Sequence, residues 1–137
     1  MLSPTAVTIR LFLHVIASAV WVGGQFVVAG IVPGMRRAHP EALKTLAQGF
    51  GRVAWPAFGV AVITGMWSLM DIDITSMSSA YQGTVLLKIA FAVVAGIAAA
   101  IHSAGKSKVA MAVGGAIGAV CSVAALFLGI LLRTGTA

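Results

Sequence analysis

Polar and apolar positions in this chain alternate in long blocks. Four apolar blocks, about Val7–Val32, Phe50–Met70, Thr84–Ala104 and Val109–Leu132, are each long enough for one bilayer crossing at ~20 residues. Pro33-Gly34 closes the first block as a helix-stopping pair. The stretch Met35–Gln48 then carries a helix start at Pro40-Glu41, with Leu43 and Leu46 placed to dip into the interface. It predicts a short helix lying on the membrane. Residues 71–82 form a polar loop, and Gly105-Lys-Ser-Lys108 forms a tight turn. The predicted architecture is all-α: one transmembrane domain over 1–137, a four-helix bundle with a short interfacial helix between spans 1 and 2.

Within the first block, polar and bulky residues recur at helical spacing. Arg10, His14, Ser18, Trp21 and Gln25 follow at steps of three or four and share one helix face. Such a stripe is unsuited to lipid and must face other helices or something held between them. If spans one and three run in the same direction, His14 and Lys88 lie at similar depths, within about a turn. His102 lies 14 residues beyond Lys88, ~21 Å deeper, so His14 and His102 do not suit one shared ion. Lys88, Ala92, Ala95, Ala99 and His102 form one face of span three, with only small side chains between its ends. That face admits a close helix or a flat ring. Lys88 also has a plainer reading, snorkelling to headgroups or reaching Asp71 or Asp73. His14 is open between a ligand or redox role and a packing histidine bonded to a neighbouring helix.

Trp21, mid-span on the stripe, suits a site wall, whereas Trp55 and Trp67 suit interface anchors. Met66 and Met70 are one turn apart, and with His14 they make a candidate soft-metal set for Cu(I), with Met77 nearby. Core packing is the other reading of those methionines. Gly114, Gly118, Ser122, Ala125 and Gly129 form a small-residue ridge on span four, suited to packing inside the bundle or across a homodimer or larger membrane complex.

Composition agrees with the block pattern. Of 137 residues, 60% are hydrophobic and 9% charged, too few charges to cover a soluble domain. The net charge of +6 does not indicate nucleic acid, because the basic residues flank apolar blocks. Arg36, Arg37, Lys44 and Arg52 flank the first connection and Lys106 and Lys108 occupy the third, while the second holds Asp71 and Asp73 without a basic residue. The positive-inside rule predicts a multi-pass protein of the inner or plasma membrane, with loops 33–49 and 105–108 cytoplasmic and both termini outside. The first block reads as retained rather than cleaved. Cys121, the single cysteine, precludes an internal disulfide and reads as inert at mid-bilayer. No hydrolase or nucleotide-binding motif and no carboxylate within a span is present, which leaves hydrolysis and proton-coupled carriage without their usual groups.

Several short motifs resemble a known family. Leu13-His14 with Trp21-Val-Gly-Gly24, Phe50-Gly-Arg-Val-Ala-Trp55 leading to Ile63-Thr-Gly65, and Tyr81-Gln82 followed by Leu87-Lys88 resemble the first three helices of the copper-resistance D (CopD) domain. The HemJ-type protoporphyrinogen oxidases look distantly similar, with a histidine and tryptophan in helix one and a lysine in helix three. The first resemblance implies copper transport or binding, through His14, Met66 and Met70. The second implies haem b and electron transfer, as in a membrane oxidoreductase, with His14 an axial ligand and Lys88 a sixth ligand or electrostatic partner. Trp21, Ser18, Ala92, Ala95 and Ala99 would then bound the macrocycle, and Arg10 and Arg133 would pair with its propionates. A quinone or porphyrin would need a site open to lipid. A cofactor-free accessory subunit is the third expectation.

Overall fold

The computed structural model describes residues 2–136. Its helices are α1 (Ala6–Ala38), α2 (Leu43–Met70), α3 (Ser79–Ala104) and α4 (Lys108–Thr134). All four are long and apolar enough to cross a membrane. The chain divides into two compact units, 1–72 and 73–137, so each contains one helical hairpin. No strand occurs among the described residues.

Local chemistry sets the helix ends. Thr5 caps α1 through a capping box, its hydroxyl accepting from the Thr8 amide while the Thr8 side chain accepts from the Thr5 amide. Ser78 and Ser107 cap α3 and α4 by accepting from the amides of Tyr81 and Ala110. α1 runs through Pro33 and ends only at His39. A proline removes one intrahelical bond, and near the end of a long apolar helix that loss is tolerated. The effective stop is Pro40, which disfavours helical geometry at the residue before it; His39 has φ −143° and ψ 63°. The connection after α1 is therefore shorter than the sequence suggests. It is a single 3-10 turn, Pro40–Ala42, and residues 43–48 are the first turns of α2.

The second connection contains a 3-10 turn at Ile74–Ser76, capped by Asp73. Asp73 Oδ1 accepts from the Thr75 hydroxyl at 2.6 Å and from its amide at 3.1 Å. The Thr75 hydroxyl, then its amide, holds this carboxyl below its ordinary value.

Side-chain size separates the two surfaces of each hairpin. Many buried positions are small, among them Ala17, Ala54, Ala95, Ala98, Gly114 and Gly118, with Arg10, Trp21 and Leu128 the large exceptions. Large aliphatic and aromatic residues such as Phe12, Val15, Ile63, Leu86 and Val120 point outward. Lipid chains solvate large apolar side chains well, so the helices gain by close contact through small residues. In the first hairpin a Cβ on Gly24 would lie 2.5 Å from the Phe50 ring. In the second, a Cβ on Gly114 would lie 2.8 Å from the Ala98 carbonyl oxygen, and one on Gly118 would meet the backbone of Ala95 and Ala99 at 3.6 and 3.5 Å. The ridge on α4 is thus used against α3.

Gly114→Val should destabilise the α3–α4 hairpin by about 1–3 kcal/mol, as overpacked contacts do. Gly23→Ala, at a position with open space around it, should be near neutral. Unfolding in detergent followed by circular dichroism checks both. Lowering the pH through the depressed Asp73 pKa should loosen the 74–76 turn, because a carboxyl depressed in the folded state stabilises it above its unfolded pKa and loses that effect as it protonates. Thr75→Val should raise the Asp73 pKa in an NMR titration.

Candidate functional site

The polar stripe of α1 meets α2, and each member has a specific environment. At the α1 N-terminal end, Arg10 is 5% exposed and forms an ion pair with Asp71, the residue that ends α2. Antiparallel packing brings these two ends together. A cation near a helix N-terminus and an anion at a C-terminus are each disfavoured by the helix dipole, and pairing them offsets both penalties. The Arg10 guanidinium also lies 5.8 Å from the Trp67 ring centroid, within cation–π range. Its Nε is buried without a hydrogen-bond partner among the described residues. Arg10, expected to serve an external carboxylate, thus has an internal one in place.

One turn further along α1, His14 Nδ1 lies 2.9 Å from Thr64 Oγ1. Thr64 is 4% exposed, and its hydroxyl donates to the Val60 carbonyl at 2.7 Å, with Ala61 O at 3.2 Å. A hydroxyl has one proton, and helix carbonyls take it here. With its proton directed at a helix carbonyl, Oγ1 is able to accept from Nδ1, the arrangement an Nδ1-protonated ring would use. Gly65 faces the same ring, and a Cβ there would lie 3.4 Å from Cε1. α2 therefore presents His14 with one fixed acceptor and one bare backbone position. Ser68, one turn along, donates to the Thr64 carbonyl at 2.9 Å.

Ser18 is half-buried on the same face of α1. Trp21 is 7% exposed and stacks against α2, its ring centroid 4.5 Å from Phe58 and 5.6 Å from Trp55. Trp55 and Trp67, expected as interface anchors, thus also have partners on α1. Gln25 donates to the Trp21 carbonyl of its own helix at 3.0 Å.

The remaining cofactor candidates belong to the second hairpin. Lys88 packs over α4 at Gly129, where a Cβ would lie 3.1 Å from Nζ. Ala92 is half-buried and Ala95 only 1% exposed. Gly118 lies against Ala95 and Ala99, so α4 already covers the part of the face expected to bound a flat ring. Arg133 is exposed in the last turn of α4. His102 donates from Nδ1 to the Met111 carbonyl at 2.5 Å, tying α3 to α4. Cys121 is a buried free thiol, and Ser122 is buried beside it.

Of the copper candidates, Met66 is 53% and Met70 78% exposed, whereas His14 meets α2 at Thr64 and Gly65. No group of three His, Cys, Asp or Glu side chains able to hold a metal ion occurs among the described residues. Comparisons with family models, with curated proteins and with solved structures find no match to this chain.

Asp71→Asn removes the carboxylate from a buried guanidinium. It should cost about 1–3 kcal/mol, less than a fully buried pair because the Asp71 side chain is 45% exposed. Thermal unfolding in detergent measures it, and Arg10→Met with Asp71→Asn should recover part of the loss.

Proposed function

We propose that this chain is a haem-b-binding membrane protein with an electron-transfer role, and that His14 would hold the haem iron through its imidazole. The observation that carries the reading is the hydrogen bond between His14 Nδ1 and Thr64 Oγ1. Ligating histidines characteristically donate their other ring N–H to an acceptor that fixes tautomer and ring orientation. Thr64 has that position because its own proton is directed at Val60. When bound, haem would supply a one-electron couple; Thr64 and Gly65, which meet the His14 ring, would orient the imidazole. Trp21, stacked among Trp55 and Phe58, gives the α1–α2 hairpin a rigid apolar wall. Arg10 with Asp71 contributes a fixed local dipole one turn from His14.

Similarity to the CopD domain and, more distantly, to HemJ-type proteins belongs to this proposal and rests on the helix-one motif around His14 and Trp21. Lys88 as sixth ligand would require its deprotonated form, and its course over Gly129 suits a charged, snorkelling amine equally well. The proposed topology follows the basic residues around the first and third connections, Arg36, Arg37, Lys44 and Arg52 and then Lys106 and Lys108, and would put both connections in the cytoplasm and both termini outside. Copper binding through His14, Met66 and Met70 draws less support because both sulfurs lie on exposed surfaces.

Protein purified after expression with ample haem should show a Soret band that His14→Ala abolishes. Thr64→Val should retain the band but weaken haem retention by about 10–100-fold. No Soret band from a sample with intact helical circular dichroism overturns the reading. Copper found by metal analysis of that sample would favour the copper alternative, and neither group would favour an accessory subunit.

A further inference from the structure

We propose that the α3–α4 hairpin holds one anionic phospholipid, with an acyl chain in a groove between the helices and its phosphate at Lys106 and Lys108. The groove has a volume of about 280 Å³. Its floor is Ala98 and Gly114, and its walls include Ile97 and Ile101 of α3 and Val113 and Ile117 of α4. The groove exists because the floor is small. Gly114 sits where a Cβ would be 2.8 Å from the Ala98 carbonyl, so the backbones touch while the branched side chains stand up on either side. All four wall residues are exposed. From Val94 to Ile101 the groove follows α3 for ~10 Å, a length suited to a stretch of extended hydrocarbon.

Charge identifies the headgroup. The lining residues at one end, Ile101 and Ala110, are each within a few residues of the turn Gly105-Lys106-Ser107-Lys108, and both lysines are exposed. Asp73 is the single acid in residues 73–137. It belongs to the connection before α3, at the far end of that helix, and its Oδ1 is bonded to Thr75. The lysines therefore have no acidic counterpart on this hairpin, and a phosphate with net negative charge complements them. The His102–Met111 bond ties the two helices beside the turn and gives the groove a fixed rim. A helix of a second copy, about 10–12 Å across with its side chains, suits this narrow groove less well than one acyl chain.

Native mass spectrometry of the full chain, released from vesicles of equal phosphatidylglycerol and phosphatidylcholine with identical chains, tests the proposal. One phosphatidylglycerol should be retained in preference. Lys106→Gln with Lys108→Gln should lower that preference about tenfold or more. Ala110→Leu, which fills the groove, should reduce retention of both lipids with helical content unchanged. Should that variant fail to fold, Ile101→Ala, which lowers one wall, should weaken retention instead. Retention in the bulk ratio, retention unaltered by the lysine and groove variants, or a protein dimer dissociated by groove filling would each overturn the proposal. The outcome is independent of the haem reading, because no residue is shared and no cofactor is required.

Discussion

Hydrocarbon offers no hydrogen bonds, so each polar side chain in a membrane helix must find its partner in protein or reach the interface. That constraint explains the first hairpin. Arg10 pairs with Asp71, His14 with Thr64, Thr64 with Val60, and Ser68 with the Thr64 carbonyl. These bonds follow the α1–α2 seam and link its polar groups in order. Thr64 has a single proton and a helix carbonyl accepts it, which leaves its oxygen able to accept from His14 Nδ1. What makes His14 interesting chemically is thus a consequence of satisfying a threonine in an apolar medium.

The second hairpin meets the same solvent by another route. Its seam is built chiefly from close backbone approach, with Gly114 and Gly118 against Ala95, Ala98 and Ala99. Removing side chains from the seam brings the helices together and leaves their branched residues standing outward. A tight helix contact and an open apolar groove are therefore two aspects of one packing choice. The groove ends near a basic turn because tight turns at the membrane surface take polar residues, here two lysines.

The two hairpins differ accordingly in what they can do. The first has directional chemistry: a buried cation, an oriented imidazole and an aromatic cluster. The second has shape and charge: a fixed apolar cleft and cations without a nearby acid. The proposed electron transfer draws on the first and the proposed lipid binding on the second.

Block hydropathy alone determined the all-α class and the four membrane-length helices, because lipid admits few alternatives for an apolar run of ~20 residues. The stripe from Arg10 to Gln25 was also legible, since helical periodicity depends only on spacing. Partner choice was not. Nothing in the spacing distinguishes Thr64 from a threonine merely bonded to its own helix, and its role appears only when α2 brings it to 2.9 Å from His14. Arg10 read as available to a ligand until antiparallel packing delivered Asp71. The face of α3 around Ala95 and Ala99 suited a ring or a helix equally, and contact with Gly118 assigned α4 to it. Pro33 read as a stop, but one lost hydrogen bond does not end a long apolar helix, and α1 continued to Ala38. Periodicity within one helix is a local property of the chain; which face meets which neighbour depends on pairing between helices, and only the tertiary structure decides that.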